Sequence, residues 1–365
     1  MTEDERLLKH TLDSITALDE QACANAKAFQ ARLAMPPGSM GELLLIAQRL
    51  SGITGKIHNR LEKKRIIVLC ADNGVVQEGV SSAPVSVTAA QAVNMTHYRT
   101  GMSALARHFH NEVQVVDVGI QTPYTCDAIL NKNIRKGTAS ILREPAMTRE
   151  EAIRALSVGI SLATQAKNEG VSILGVGEMG IGNTTTSTAV LSVLTDTPAE
   201  EITGRGGCIT DYMLAHKKEV IAAAIQKNNP NKTDIIDVLS KVGGLDIAAM
   251  CGVFLGAAAE KLPVVIDGYI SAVAALCAKR LNPLACAYFF PSHRSQEHGY
   301  TIALDELSLR PYLSLGMRLG EGSGCPLAFE IIDSACVIMN DMATFDSAGI
   351  NDEYLAEVRA EMEND

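Results

Sequence analysis

Arg65-Ile66-Ile67-Val68-Leu69-Cys70, followed at once by Ala71-Asp72-Asn73-Gly74, is the stretch on which the fold turns. The run is short, apolar and rich in β-branched side chains, and it stops at residues that favour turns, so it reads as a buried strand. Working outward, residues 113–118, 171–176 and 263–266 repeat the pattern, each followed by Gly or Asp. Longer segments of helical periodicity lie between them, residues 149–165 and 246–261 among them. This strand-then-helix rhythm predicts an α/β fold with a parallel sheet covered by helices on both faces. Ligands on such sheets bind beyond the carboxyl ends of the strands. Residues 71–74 and a glycine-rich loop beginning at Gly175 fall at that end. Residues 3–50 mix polar and apolar positions at helical spacing, broken at Pro36-Pro37-Gly38. From about Leu307 the chain reads as helical again, ending in a charged tail.

The chain has 365 residues, 47% of them hydrophobic, which is ample for a real core. Its net charge is −10, with no basic stripe, no interleaved aromatics and no tryptophan, a pattern that argues against nucleic acid as a partner. Nine cysteines stand singly with no CxxC pair, as expected of reduced thiols in a cytoplasmic protein. The acidic start Met1-Thr2-Glu3-Asp4-Glu5 lacks the apolar core of a signal peptide. The longest apolar run, residues 247–259, is too short to span a bilayer and reads as a core helix, so no membrane partner is expected.

Two glycine-rich loops carry carboxylates. In Arg318-Leu319-Gly320-Glu321-Gly322-Ser323-Gly324 the glycines let backbone approach a ligand closely, and the small residues that follow allow a helix to start beneath it. An ordinary tight turn explains this heptad equally well. Gly175-Val176-Gly177-Glu178-Met179-Gly180-Ile181-Gly182-Asn183-Thr184-Thr185 repeats the chemistry, and a helix reads from Thr184, whose first amides suit a phosphate. Together the loops predict a site for an anionic, ribose-bearing small molecule. The spacing is neither a dinucleotide fingerprint nor a Walker loop.

Other residues read both ways. Gly204-Arg205-Gly206-Gly207 is a further anion contact or a solvated loop. Lys217 and Lys218 read as helix-surface charges, and Gln91 as a surface residue on a helix after Pro84. Asp72 is a candidate helix cap, and Asp267-Gly268 places a carboxylate at a strand end, there to hold a hydroxyl, a cation or a turn. His293, in Pro291-Ser292-His293-Arg294-Ser295, has no second histidine at metal-ligand spacing, so no zinc site is expected. There is no GxSxG elbow.

Taken in order, CADNGVVQEGV, VTAAQAVNM, VDVGI, GVGEMGIGNTT, KVGGLDIAAMCGVFLGAAAEKLPVVIDG, PSHRS and MRLGEGSGCPLA resemble the motifs of the nicotinate-nucleotide–dimethylbenzimidazole phosphoribosyltransferase family, from Pro37 to about Ala343. The family activates the lower ligand of cobalamin. The resemblance implies a Rossmann-like α/β domain over residues 61–310 and a small helical domain built from residues 1–60 and 311–365. It implies a homodimer with active sites near the subunit interface, and no metal or cofactor. The implied reaction moves the 5-phosphoribosyl group of nicotinate mononucleotide to 5,6-dimethylbenzimidazole, giving α-ribazole 5′-phosphate and nicotinate.

By the same resemblance Glu321 is the general base, and Glu178 is a second catalytic carboxylate beside it. Gly180, Gly182, Asn183 and Thr184 form the phosphate loop, with Lys217 near the phosphate. Ala83, Gln91, Asp267, Ser292, Leu319, Gly320 and Gly322 complete the substrate-binding set. The chain departs from the family pattern at three positions: Asn73 where histidine is common, Ala83 where serine is frequent, and Met35 where lysine is frequent. The first two are expected to touch the pocket of the incoming base, leaving open another benzimidazole, a purine or a phenol as acceptor. A homologue that binds nucleotide without turning it over is the remaining alternative.

Overall fold

The structure, a computed structural model, describes residues 1–362. Six strands form one sheet: β1 (Lys64–Ala71), β2 (Glu112–Gly119), β3 (Leu130–Asn131), β4 (Ile173–Met179), β5 (Val264–Ile266) and β6 (Phe289–Pro291). All pair in parallel, in the order β3-β2-β1-β4-β5-β6. On central β1, Ile66 to Ala71 are fully buried, as expected for a strand covered on both faces. β1 lies between Val115 of β2 and Gly177 of β4, both opposite Val68. The α/β expectation holds.

The apolar run 247–259 lies in the helix Leu245–Ala259, buried along almost its whole length. It packs against the helix Arg149–Asn168 so closely that a side chain at Gly252 would meet the Leu156 carbonyl oxygen. A helix apolar on every side belongs in the interior of a large core.

The chain divides into two compact units. The larger comprises Met1–Thr16 and Lys63–Ala328, and the smaller Ala17–Glu62 and Phe329–Asp365. The expected division at residues 60 and 310 is therefore shifted, for two reasons. The first helix, Glu3–Ser14, belongs to the α/β unit, where Asn282 donates to the Leu12 carbonyl at 2.9 Å and Tyr288 Oη to that of Thr16 at 3.0 Å. Residues 308–324 are mostly irregular rather than helical and run along the ends of β5 and β6. There Tyr312 N–H donates to the Ser292 carbonyl at 3.0 Å. Helix resumes at Cys325, directly after the Glu321 loop.

In the smaller unit two segments far apart in sequence meet. Ala34 N–H donates to the Ala343 carbonyl at 2.9 Å, and Asn340 Nδ2 to that of Asn59 at 2.7 Å. Buried Gln30 donates to the Leu44 carbonyl at 2.9 Å, joining the helices Glu20–Gln30 and Glu42–Thr54. Among the described residues no helix is long and apolar enough to cross a membrane.

Candidate active site

The strand order reverses direction between β1 and β4, and an open parallel sheet leaves a crevice at such a switch point. The crevice lies beyond the carboxyl ends of β4, β5 and β6 and is partly open to solvent.

Glu178 does not sit in the glycine loop, as its surroundings suggest, but on β4, which continues to Met179. Its Oε2 accepts from the side-chain amide of Asn183, and its Oε1 accepts the Glu321 N–H at 3.1 Å. Burial pushes its carboxyl up to about 8, opposed by those two donors and reinforced by the charges of Asp246 and Asp267. The turn then runs through Gly180 to Gly182, whose φ of 93° opens the helix Asn183–Thr195. Residues 180–184, at the start of that helix, line the crevice, and the positive end of a helix favours an anion.

Glu321 has a φ of 64°, between Gly320 at 79° and Gly322 at 86°. Three successive left-handed residues persist only where their surroundings hold them, and a non-glycine member costs about 1–3 kcal/mol. Asp267 supplies much of the hold: Oδ2 accepts the Gly322 N–H at 3.0 Å and Oδ1 the Gly324 N–H at 2.7 Å. Asp267 thus serves the loop backbone, and burial, partly offset by these donors, moves its own carboxyl to about 7. Gly177 on β4 completes the fit, since a Cβ there would stand 2.6 Å from the Glu321 carbonyl oxygen.

The Glu321 side chain is 5% exposed. Its Oε1 lies 3.5 Å from Gln91 Nε2, and its buried Oε2 has no hydrogen-bond partner within 3.5 Å among the described residues. Burial raises its pKa, with the Thr100 hydroxyl and the Met102 amide pulling the other way.

Lys217 is a correction to the surface reading. It is 1% exposed, on the helix Asp211–Asn228, and its Nζ donates to Thr184 Oγ1 at 2.9 Å and to the Gly204 carbonyl at 3.3 Å. No ion-pair partner for it exists among the described residues. Burial lowers its pKa to about 8, with Glu297 acting against the shift. Arg205, tied to the Ile209 carbonyl at 2.9 Å and to Asp211, lines the crevice beside it. Gln91 is likewise no idle surface residue, since it reaches Glu321.

Of the expected residues, Ala83, Glu178, Gly180, Gly182, Asn183, Thr184, Lys217, Asp267, Leu319, Gly320 and Glu321 line the crevice. Two do not. Ser292 is fully buried and spends its hydroxyl on the Asp267 carbonyl at 2.7 Å, while Gly322 contributes its N–H to Asp267. The histidine next to that serine, His293, lines the crevice instead, and burial drops its pKa to about 4, so it is neutral.

Asn73 does not line the crevice. It lies behind the glycine turn, 1% exposed, accepting from Thr186 Oγ1 at 2.9 Å. Asp72 caps nothing and accepts the Gln121 N–H at 2.7 Å. Sequence reasoning passed over Glu297, which accepts the Gly206 N–H at 3.1 Å, and Asp246, which accepts from Asn183 Nδ2 at 3.0 Å. An acid at a helix start reads as a dipole complement, and nothing local ties Asp246 to a partner 63 residues away.

Comparison with known proteins agrees with this geometry. Residues 15–350 match the family model DBI_PRT, described as a phosphoribosyltransferase. The chain is 50% identical to the nicotinate-nucleotide–dimethylbenzimidazole phosphoribosyltransferase of Clostridium perfringens and 45% identical to that of Clostridium tetani. Each alignment covers 97% of this chain and 98% of the relative. The crystal structure of the enzyme of that name from Thermus thermophilus superposes with a TM-score of 0.86 at 35% identity, covering 92% of this chain and 99% of the other. Agreement over nearly the full length, in sequence and in fold, means that the chain belongs to the DBI_PRT phosphoribosyltransferase family.

Proposed function

We propose that this protein transfers the 5-phosphoribosyl group of nicotinate mononucleotide to a ring nitrogen of 5,6-dimethylbenzimidazole, releasing nicotinate and forming α-ribazole 5′-phosphate for the lower ligand of cobalamin. The names of its relatives support the substrates. One observation about the site carries the chemistry: a buried carboxylate, Glu321, and a buried ammonium, Lys217, open on one crevice, and among the described residues Glu321 Oε2 has no hydrogen-bond partner and Lys217 no ion pair.

The nucleotide phosphate lies at the start of the helix Asn183–Thr195, where Lys217 and Arg205 add positive charge. The bond between C1′ and the pyridinium nitrogen breaks, and its electron pair returns to the ring, so nicotinate leaves without a proton. The benzimidazole nitrogen attacks C1′ from the opposite face, which inverts the anomeric centre. The proton on the other benzimidazole nitrogen passes to Glu321. Desolvation makes Glu321 a stronger base than a solvated carboxylate, and Glu178 holds its backbone in register. The transfer needs no covalent intermediate with the protein. We also propose a homodimer working in the cytoplasm; nine cysteines, with no disulfide among the described residues, suit a reducing compartment.

Incubation of the purified protein with nicotinate mononucleotide and dimethylbenzimidazole tests the reading. Nicotinate and α-ribazole 5′-phosphate should appear in equal amounts. Correctly folded protein that releases no nicotinate above background would overturn it.

A further inference from the structure

We infer that Asp246 is a positioning residue for the transfer: through the side-chain amide of Asn183 it fixes Glu178, and through Glu178 the backbone of Glu321. This role rests on the transfer proposed above.

Asp246 is fully buried at the start of the helix Leu245–Ala259, which is apolar and buried along almost its whole length, and does not line the crevice. A carboxylate in such a place is costly unless hydrogen bonds compensate it. Its Oδ1 accepts the Ile247 N–H at 3.0 Å, and its Oδ2 accepts Asn183 Nδ2 at 3.0 Å. The chain leaves room for it on two sides, since a Cβ at Gly180 would stand 2.7 Å from Oδ2 and one at Gly244 2.5 Å from Oδ1.

The amide nitrogen of Asn183 has two hydrogens and gives one to Asp246 and one to Glu178. Rotating that amide would take both hydrogens away from the oxygens that accept them and lose both contacts. With Oε2 of Glu178 tied to Asn183, its Oε1 stays on the Glu321 N–H. A chain of three hydrogen bonds thus runs from the buried helix to the strained residue that takes the proton. Asp246 has to be an acid, because it accepts at both oxygens. An asparagine there would set an NH2 group against either the Ile247 N–H or the Asn183 amide.

The test is steady-state kinetics per folded molecule, together with circular dichroism. Asp246→Asn should fold and lose about ten-fold or more in kcat, with KM for both substrates changed less than about three-fold. Asn183→Ala should lose at least as much, and the double variant should be no worse than Asn183→Ala, because both act along one path. Should Asp246→Asn fail to fold, Asp246→Ser keeps an acceptor for Ile247 and withdraws the contact with Asn183, with the same loss expected.

An active wild type with an unaffected Asp246→Asn, or losses that add in the double variant, would overturn the role alone. Unfolding of both the Asn and Ser variants would make Asp246 a stability residue and would also overturn it. A wild type that releases no nicotinate would overturn the transfer and this role with it.

Discussion

Glu321 stands in a conformation that L residues avoid, with one oxygen buried and unpartnered, and both features suit a base that must meet a proton in a dry pocket. Glu321→Gln should therefore lower turnover by about 10²–10⁴-fold with the fold intact, as followed by nicotinate release. A base works only when ionised. The raised pKa of Glu321 places the acid limb of kcat/KM above the usual carboxylate range, with activity falling as pH drops through it. Lys217→Met should raise KM for nicotinate mononucleotide at least about ten-fold while moving KM for the base little, as initial rates would show. Both carboxylates were legible in the sequence because glycines flank them. Lys217 and Lys218 are neighbours of like type, and only packing buries one of them. Ser292 and His293 reversed roles for the same reason: which of two adjacent side chains faces a crevice depends on where the strand ends.

At the scale of elements, β4 and the Glu321 loop form one device. Gly175, Gly177 and Glu178 are poor strand formers, so the sequence reads as leaving the strand at Val176, yet pairing with β1 carries β4 to Met179. The cost of Gly177 as a strand residue is offset by the backbone it admits. Gly177→Ala would drive a Cβ against the Glu321 carbonyl, so it should destabilise the protein by about 1–3 kcal/mol and lower kcat as well. Thermal melts and initial rates on the same preparation check this; unchanged values for both would contradict it. β1, β2 and β5 were legible as apolar runs. β3 has two residues and β6 three, too few to show any period, and they exist because neighbouring strands supply their partners.

At the scale of the whole molecule, the α/β class follows from the order of runs, whereas the unit boundaries follow from contacts distant in sequence, such as Tyr288 with Thr16. The larger unit carries several buried carboxylates with little positive charge among them. The pKa values of Asp246, Asp267 and Glu178 rise from 3.8, 3.8 and 4.5 to about 6, 7 and 8. Each binds its proton more tightly folded than unfolded. Their contribution to stability is complete below about pH 4 and is lost as pH rises through those folded values, by up to about 1.4 kcal/mol per pH unit for each group. Denaturant unfolding should therefore show this component weakening between about pH 4 and pH 8, and Glu178→Gln should flatten the decline; an identical slope in the variant would contradict it. The most direct measurement of all is a crystal structure with dimethylbenzimidazole and a nonreactive nucleotide bound. The Glu321 carboxylate should lie about 2.6–3.2 Å from a benzimidazole nitrogen, with the phosphate at Lys217 and the helix Asn183–Thr195. A Glu321 side chain turned to bulk solvent, away from the base, would contradict the proposed chemistry at its centre.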